Sequence, residues 1–390
     1  MKIVQINATC GVGSTGNICI EISKLLTAAG TENYIFYSLA DSDYSLGIRF
    51  SNNTHVQALK SRVFGKFGFC AVNVTRKIIK KLDEIKPDIV HLHNIHSHNV
   101  NLELLFEYLK SKKIKTFWTF HDCWAFTGYC VHFDMIGCDK WKTGCYDCVQ
   151  RGEYSWFFDN SKKLYEKKKE LFTGLDLTII TPSEWLSALV KESFLKDYEV
   201  KVINNGIDLD VFKPTSSDFK AKHSIQDKHI VLGVAYSWSL KKGIDCFIEL
   251  SKRLPENYQI VLVGTDERTD KHLTNNILSI HATTSQQELA EIYTAADVFV
   301  NTTREDTFPT VNMEALACGT PVVTFNTGGS TEAIDDSCGV IVPKNDIDAL
   351  EKEILRLCEA KPISKKPCLN KSKSFDKTNC FEKYLEIYGV

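Results

Sequence analysis

The sequence predicts an α/β fold made of two doubly wound domains, each a parallel sheet covered by helices. Short apolar runs alternate with amphipathic stretches of helical period along the chain, which is typical of strand–helix–strand units. The alternation restarts near the middle, so two units of similar size follow one another. The length of 390 residues agrees with two or three domains, since one domain takes about 150 residues. We expect the two domains to face a central cleft.

The first half of the chain contains five strand candidates and a clear amphipathic helix at residues 17–29, which Gly30 ends. The strand candidates are residues 2–6, 34–37, 88–93, 116–120 and 177–181. A cysteine-rich insertion at about residues 122–150 interrupts the pattern. We assign residues 1–200 to an N-terminal Rossmann-like domain.

The second half starts again with a strand candidate at 200–203, followed by the turn sequence Asn204-Asn205-Gly206. Its further strand candidates are residues 230–234, 259–263, 297–300 and 321–325, with a helix at 286–296. We assign residues 201–375 to a C-terminal Rossmann-like domain. The last stretch, 376–390, is predicted to be a helix that crosses back to the first domain.

The composition is ordinary for a globular protein, with 43% hydrophobic and 25% charged residues. This excludes a disordered, fibrous or multi-span membrane protein. A net charge of −2 gives no global attraction to nucleic acid, and we expect no such partner. The apolar run at residues 2–6 is too short for a signal peptide. We therefore expect a cytoplasmic protein whose 14 cysteines are free thiols.

A glycine-rich loop at residues 11–16, GVGSTG, lies between the first strand and the first helix. Its G-x-G-x-x-G pattern presents backbone N–H groups at a helix N-terminus, which predicts a contact with phosphate or sugar phosphate. A nicotinamide site would also need an acidic residue at the end of the second strand, where the chain reaches Asp41 late. A purely structural turn is the third interpretation.

An acidic segment at residues 305–314 reads EDTFPTVNME and is followed by ALACGTP. Pro309 suits the first turn of a helix that Gly319 ends. Asp306 then lies just before the helix, and Glu314 about two turns inside it. The simpler interpretations are a helix cap for Asp306 and an exposed carboxylate for Glu314. Because Glu314 has apolar neighbours, we expect it to be partly buried with a partner.

These segments together resemble the retaining GT-B glycosyltransferases of the family 4 type, a group that includes glycogen and sucrose synthases and many bacterial polysaccharide transferases. Those enzymes carry two glutamates separated by seven residues and followed by an Ala-Met-Ala-Cys-Gly-like sequence. The resemblance covers nearly the whole chain, through residues 11–16, 91–94 (HLHN), 119–122 (TFHD), 205–208 (NGID), 242–243 (KG) and 305–321.

The resemblance implies that the N-terminal domain binds the acceptor and the C-terminal domain binds a nucleotide-sugar donor. It also implies a role for each matching residue. Glu314 is expected to hold the ribose hydroxyls, and Asp306, or Glu305 beside it, the transferring sugar. His121 is expected near the sugar and the β-phosphate, with the glycine loop closing over them. The implied catalytic residues are His121, Glu305, Asp306 and Lys242. The implied donor-binding residues are Gly13, Ser14, Gly16, Lys241, Lys242, Thr310, Val311 and Glu314.

The implied reaction transfers a sugar with retention from a UDP- or GDP-sugar to a saccharide acceptor, in synthesis of capsule, O-antigen or exopolysaccharide, with a lipid-linked acceptor. The backbone N–H groups of Thr310 and Val311 and the ammonium of Lys242 are expected to neutralise the leaving diphosphate without a metal cofactor.

Three positions depart from the family pattern. Asp306 is one methylene shorter than glutamate, and Pro309 replaces a glycine and removes an N–H. The usual arginine position holds Ser237, which leaves Lys241 as the second positive charge. Two alternatives stay open: an NAD(P)-dependent oxidoreductase that uses the glycine loop, and a non-catalytic protein that binds nucleotide sugars.

Four cysteines lie in the aromatic insertion: Cys130, Cys138, Cys145 and Cys148. Four thiolates that end in a C-x2-C pair can form a tetrahedral structural zinc site. Reduced, partly buried thiols or one disulfide are the alternatives.

A basic segment runs from Lys60 to Lys81, with seven basic residues, no acidic one, and three interleaved phenylalanines. Such a segment can lie on an anionic membrane surface, which would make the protein peripheral on the inner face of the plasma membrane. A solvated helix face is the alternative.

Overall fold

The computed structural model describes all 390 residues, which form two compact units. The first unit consists of Met1–Asn204 together with Phe381–Val390, and the second of Asn205–Cys380. The chain therefore passes between the units after residues 204 and 380, whereas the sequence predicts these limits at residues 200 and 375.

The first unit is built on a parallel sheet of seven strands. These are β1 (Lys2–Ile6), β2 (Glu32–Tyr37), β3 (Gly47–Arg49), β4 (Ile89–Leu92), β5 (Lys115–Thr119), β6 (Leu177–Thr181) and β7 (Glu199–Val202). Their order is β3-β2-β1-β4-β5-β6-β7, and it reverses direction between β1 and β4. Doubly wound sheets bind their ligands beyond the carboxyl ends of the strands at this point.

The five strand candidates of the first half are confirmed. The assignment of residues 200–203 to the second domain is wrong, because this segment is β7 and pairs with β6 in the first sheet. The strand β3 is absent from the sequence prediction, since it is a short edge strand with no buried residue.

Seven helices accompany the first sheet: α1 (Gly13–Ala28), α2 (Thr54–Phe64), α3 (Val72–Ile85), α4 (Leu102–Lys112), α5 (Arg151–Tyr154), α6 (Ser161–Phe172) and α7 (Glu184–Glu192). The cysteine-rich insertion is part of the core, since Trp124, Phe126 and Trp141 are at most 1% exposed. This insertion is therefore a packed extension of the first unit and not a loose loop.

The second unit has a parallel sheet of six strands: β8 (His229–Val234), β9 (Tyr258–Val263), β10 (Ile277–Ile280), β11 (Val298–Asn301), β12 (Val322–Phe325) and β13 (Gly339–Val342). Their order is β10-β9-β8-β11-β12-β13, with the reversal between β8 and β11. The four predicted strands are confirmed. Both unpredicted strands, β10 and β13, are sheet edges whose residues are partly exposed, so neither forms a strong apolar signal.

Eight helices follow β7: α8 (Phe219–Lys222), α9 (Ile244–Arg253), α10 (Glu267–Asp270), α11 (Gln286–Ala295), α12 (Thr310–Ala317), α13 (Ile347–Ala360), α14 (Lys365–Ser372) and α15 (Lys377–Tyr388). The end of α15 belongs to the first unit, where the hydroxyl of Tyr388 lies 2.5 Å from Nδ1 of His91. No helix of the chain has both the length and the apolar character needed to cross a bilayer.

Candidate active site

Two lysines and two carboxylates meet at the point of strand reversal in the second unit. The lysines follow β8 and the carboxylates follow β11, so both pairs leave the carboxyl edge of the sheet side by side. The ammonium of Lys242 donates a hydrogen bond of 2.8 Å to Oδ2 of Asp306. Nζ of Lys241 lies 3.6 Å from Oε2 of Glu305. The structure thus brings together four of the predicted site residues.

The two carboxylates differ in exposure. The Glu305 side chain is 1% exposed, whereas that of Asp306 is 20% exposed and pairs with a lysine that is 38% exposed. A bound ligand can therefore reach Asp306 and Lys242 directly, while Glu305 supports Lys241 from beneath. This geometry favours Asp306 over Glu305 as the acid that contacts a ligand.

The turn that carries Lys242 is fixed by Gly243 and Thr302. Gly243 has a φ of +75°, and a Cβ there would lie 2.3 Å from Oγ1 of Thr302. The hydroxyl of Thr302 donates to the carbonyl of Lys242 at 3.0 Å. Since only glycine allows this approach, the contact sets the position of the lysine over the end of β11.

Arg304 holds the other side of the same turn. Its backbone N–H donates to the carbonyl of Lys241 at 2.8 Å, and its guanidinium forms two hydrogen bonds to Asp245, of 2.7 and 2.8 Å. The guanidinium also donates to the carbonyl of Leu240. Sequence reasoning missed this arginine, although it directly precedes the acidic segment. It is a positioning residue for both lysines.

We expect Gly243→Ala to destabilise the protein by about 2–4 kcal/mol, because the methyl group would displace Thr302 and strain a left-handed residue. Binding of a nucleoside diphosphate is expected to weaken as well, since Lys242 would shift. Urea unfolding and calorimetric titration with UDP measure the two effects. Gly152→Ala is the control, because a Cβ there meets nothing within 4 Å; equal stabilities of the two variants would contradict the account.

Helix α12 presents its first turn at the same edge. Thr310 is its first residue, and no side chain caps the turn. Pro309 lies just before the helix and not in its first turn as predicted. The Asp306 carboxylate accepts from the N–H of Phe308 at 3.3 Å, so the simple interpretation of Asp306 as the helix cap is wrong. The N-terminal end of α12 is thus suited to an anionic group.

Glu314 lies inside α12 and is partly buried, as expected from its apolar neighbours. Its Oε2 accepts a hydrogen bond of 3.1 Å from the hydroxyl of Tyr293, the partner that sequence reasoning did not find. Burial raises the pKa of Glu314 to about 6, although the hydrogen bonds from Tyr293 and Thr310 lower it. The carboxylate is therefore ionised above this pH and able to accept hydrogen bonds from a ligand.

The first unit presents its glycine loop at its own point of strand reversal. Gly13 begins α1, no side chain caps this helix, and Ser14 is exposed. Gly16 packs closely against Thr9, since a Cβ at Gly16 would lie 2.8 Å from Oγ1 of Thr9. Asp41, which a nicotinamide site would need for the ribose, is 89% exposed and paired with Arg49. This pairing weakens the oxidoreductase alternative.

His121 follows β5 and forms a histidine pair with His93, which follows β4. Its Nε2 lies 3.2 Å from Nδ1 of His93, whose Nε2 lies 3.2 Å from Oε1 of Gln5. Burial lowers the pKa of His121 to about 4, so the ring is neutral at pH 7. His121 can therefore exchange hydrogen bonds with a sugar but brings no positive charge to it.

The neighbouring Asp122 is paired with His96, with 2.7 Å between Oδ2 and Nε2. Burial raises the pKa of Asp122, but the charge and hydrogen bond of His96 outweigh it and hold the pKa at about 2. Neither His93 nor His96 was assigned a role from the sequence. His93 lies within the HLHN segment at residues 91–94, and His96 follows that segment by two residues. This segment was their only signal in the sequence.

Of the four cysteines predicted to bind zinc, two are in contact with each other. The sulfur atoms of Cys130 and Cys148 are 3.9 Å apart, and Sγ of Cys145 accepts from the N–H of Gly128 at 3.1 Å. The contact with Cys148 and burial raise the pKa of Cys130, whereas the same contact lowers the pKa of Cys148. No group of three or more histidine, cysteine or acidic side chains in the chain is placed to hold a metal. Zinc on Cys130, Cys138, Cys145 and Cys148 therefore stays a prediction.

The basic segment from Lys60 to Lys81 is divided between the end of α2 and helix α3. Of its three interleaved phenylalanines, Phe64 is 55% exposed, whereas Phe67 is buried and packs edge-to-face on Trp124. Phe67 is therefore unable to contact a membrane, and contact of the segment from Lys60 to Lys81 with a membrane surface stays a prediction.

Comparison with known proteins agrees with this architecture. The family described as Glycosyltransferase Family 4 matches residues 15–211, and the family described as Glycosyl transferases group 1 matches residues 215–374. The chain is 24% identical over 386 residues to the putative colanic acid biosynthesis glycosyl transferase WcaC of Escherichia coli K12, covering 92% of this chain and 90% of that protein.

A second Escherichia coli relative is the UDP-Gal:alpha-D-GlcNAc-diphosphoundecaprenol alpha-1,3-galactosyltransferase. It is 26% identical over 251 residues, which cover 57% of this chain and 64% of the relative. Among solved structures, Anabaena Alr3699/HepE in complex with UDP superposes with a TM-score of 0.72 at 16% identity, covering all of both chains.

Two Rossmann-like units and these matches define a glycosyltransferase with the GT-B fold. The chain belongs to Glycosyltransferase Family 4.

Proposed function

We propose that this protein is a retaining glycosyltransferase that moves a sugar from a nucleoside diphosphate sugar to a saccharide acceptor during synthesis of a bacterial surface polysaccharide. The observation that carries the proposal is the arrangement in the second unit. Lys242, Asp306, the first turn of α12 and Glu314 all lie at one edge of the sheet. The biosynthetic setting rests on the name of the WcaC relative.

The donor is a UDP- or GDP-sugar in this proposal. Lys242 and the N–H groups of Thr310 and Val311 neutralise the diphosphate, and the ionised Glu314 accepts hydrogen bonds from the ribose hydroxyls. UDP is favoured by two relatives, one crystallised with UDP and one named for UDP-galactose.

The chemistry follows from charge development. The bond between C1 of the sugar and the diphosphate oxygen breaks, and its electron pair leaves on the diphosphate, where Lys242 stabilises it. The acceptor hydroxyl forms the new bond to C1 on the face that the diphosphate leaves, and its proton passes to the departing phosphate oxygen. Asp306 contacts the transferring sugar, and the positive charge on the ring faces its carboxylate. The charges of Lys242 and α12 take the place of a metal in this step.

The acceptor is a lipid-linked saccharide in this proposal, and the protein works as a peripheral enzyme on the cytoplasmic side of the membrane. The support is the galactosyltransferase relative, whose name specifies a diphosphoundecaprenol acceptor. His121 and the glycine loop of the first unit stay predicted contacts of the transferred sugar and phosphate.

Release of nucleoside diphosphate from a panel of UDP- and GDP-sugars tests the proposal, with excess EDTA present and with Glu314→Ala in parallel. We expect release by the wild-type protein with one donor, and loss of most turnover in the variant. The anomeric configuration of the product, read by NMR, is expected to match that of the donor. Nucleotide binding without release from any donor would instead indicate the non-catalytic alternative.

We also propose a structural zinc ion on Cys130, Cys138, Cys145 and Cys148, on the basis of their spacing within one insertion and of the 3.9 Å between the sulfur atoms of Cys130 and Cys148. Zinc would be bound as a tetrahedral thiolate complex and would cross-link the insertion. We expect about one zinc per chain after purification without chelator, and loss of zinc with Cys148→Ser. Metal analysis that finds well under one zinc per chain would refute this site.

A further inference from the structure

Helix α2 places its apolar side chains in solvent. Ser61 is its one buried residue, whereas Val56 is 40%, Leu59 52% and Phe64 55% exposed. Val56 and Leu59 lie one turn apart on the side of the helix away from Ser61, whereas Phe64 is the last residue of the helix. The helix contains no aspartate or glutamate and carries Lys60 and Arg62. The helix therefore exposes apolar side chains beside basic ones and carries no acidic side chain.

A second exposed apolar segment lies beside the end of α2, although it is about ninety residues later in the chain. Trp156, Phe157 and Phe158 follow one another and are 47%, 64% and 55% exposed. The N–H of Trp156 donates to the carbonyl of Arg62 at 2.9 Å, and the side-chain amide of Asn160 donates to the carbonyl of Phe64 at 3.2 Å. These bonds fix the segment against the helix.

We call Phe64, Trp156, Phe157 and Phe158 the aromatic patch. Consecutive exposed aromatic residues are costly to leave in water, and a folded monomer seldom exposes such a cluster without a partner. Asn160 and Ser155 bond to the backbone of α2, so the patch is held on ordered elements.

A groove of about 440 Å³ opens beside the aromatic patch. Its apolar walls include Phe64, Phe69 and Phe158, and its rim carries Lys66, Lys163 and Lys167. One acidic residue, Glu103, lines it and is paired with Lys167 at 2.9 Å. Apolar walls beneath a lysine rim fit a molecule with an acyl chain and an anionic head group.

We propose that the aromatic patch and α2 dock on the surface of an anionic lipid bilayer. The aromatic rings enter the interfacial region, and Lys60, Lys66 and Lys163 contact lipid phosphates. The charge complementarity selects an anionic lipid surface as the occupant, since Lys60, Lys66 and Lys163 lie in or beside the exposed apolar segments and outnumber Asp159, the acidic residue that follows Phe158. Helix α2 itself has no acidic residue. The docking site rests on the proposed function in one respect, because a lipid-linked acceptor requires an enzyme at the membrane.

Sedimentation with vesicles tests the docking. We expect the wild-type protein to bind phosphatidylcholine vesicles that contain about 30% phosphatidylglycerol, and to bind pure phosphatidylcholine at least about tenfold more weakly. About 0.5 M NaCl is expected to release most of the bound protein. Absence of binding to the anionic vesicles, or equal binding to both vesicle types, would overturn the proposal.

Two combined variants locate the surface. The first variant combines Trp156→Ser, Phe157→Ser and Phe158→Ser. The second variant combines Lys60→Gln, Lys66→Gln and Lys163→Gln. Each is expected to lower the vesicle partition coefficient at least about tenfold. The matched control removes three exposed lysines of the second unit, by Lys222→Gln, Lys271→Gln and Lys352→Gln, and is expected to bind as the wild type does. Equal loss in the control, or full binding by both patch variants, would refute the assignment to this surface.

Measuring the release of UDP or GDP from the soluble donor distinguishes the docking site from the proposed glycosyltransferase function. The patch variants are expected to keep wild-type donor hydrolysis and thermal stability, because none of the changed residues lies at the donor site. A protein that binds vesicles but hydrolyses no donor would leave the docking site standing and the proposed function refuted. A protein that hydrolyses donor but ignores anionic vesicles would refute the docking site alone.

Discussion

Replacement of Lys242 by methionine is expected to lower kcat/KM for the sugar donor by about a hundred- to a thousandfold, the loss typical of removing one preorganised stabiliser of a developing negative charge. The ammonium lies 2.8 Å from Asp306 and is 38% exposed, so it is available to a diphosphate. Methionine keeps most of the length of the side chain and removes its charge. Steady-state kinetics of nucleoside diphosphate release measure the effect.

The folding stability of the Lys242→Met variant shows whether its loss of activity comes from lost catalysis or from a disturbed fold. The Lys242–Asp306 pair is partly exposed, and such pairs contribute at most about 1 kcal/mol. We therefore expect the Lys242→Met variant to unfold in urea close to the wild type. Lys271→Met, an exposed lysine elsewhere in the second unit, is the matched control and is expected to keep full activity. A kcat/KM within about threefold of the wild type for Lys242→Met would contradict the assigned role.

Glu314→Gln is expected to weaken nucleotide binding by about ten- to hundredfold above pH 7, since the amide replaces an ionised acceptor of ribose hydroxyls. In the wild type, burial raises the pKa of Glu314 to about 6. Nucleotide affinity is therefore expected to fall more steeply below pH 6 in the wild type than in the variant, since both profiles share the titration of the terminal phosphate of UDP. Calorimetric titration with UDP from pH 5 to 8 measures both profiles, and parallel profiles would contradict the role.

The same substitution is expected to stabilise the fold at high pH. The folded-state pKa of Glu314, about 6, lies above its ordinary value of 4.5, so the native protein binds more protons than the unfolded chain between these values. The stability of the wild type therefore falls as pH rises through this window. Glu314→Gln removes this cost and is expected to be about 1–2 kcal/mol more stable than the wild type at pH 8, and similar at pH 4. Urea unfolding of both proteins at the two pH values measures the difference; a variant less stable at pH 8 would contradict the burial argument.

Sequence periodicity located most of the fold. The interior strands, such as β1 and β9, are mostly apolar because they are buried on both faces, and such segments are readable without a structure. Edge strands such as β3 and β10 pair on one side and expose part of their residues, so their sequences carry little signal. The segment at residues 200–203 had a clear strand pattern, but pairing decides which sheet a strand joins, and pairing is not local.

The residues expected to contact the ligand could be predicted from the sequence, but the residues that hold them in place could not. Asp306 and Glu314 could be found from their spacing in one short segment. Tyr293 lies on a different helix from Glu314, and no local pattern connects the two. Arg304 has a signal in its position beside Glu305, but its use as a clamp on the Lys241 turn depends on the reversal of strand order between β8 and β11.

The central claim is that the second unit holds a nucleoside diphosphate. Thermal unfolding of the purified protein with UDP, GDP, ADP, NAD or NADP, without metal and with EDTA, tests it most directly. We expect UDP or GDP to raise Tm in the wild type and to do so much less in Lys242→Met and Glu314→Gln. Stabilisation by NAD or NADP alone would contradict the account and would make the glycine loop a dinucleotide site.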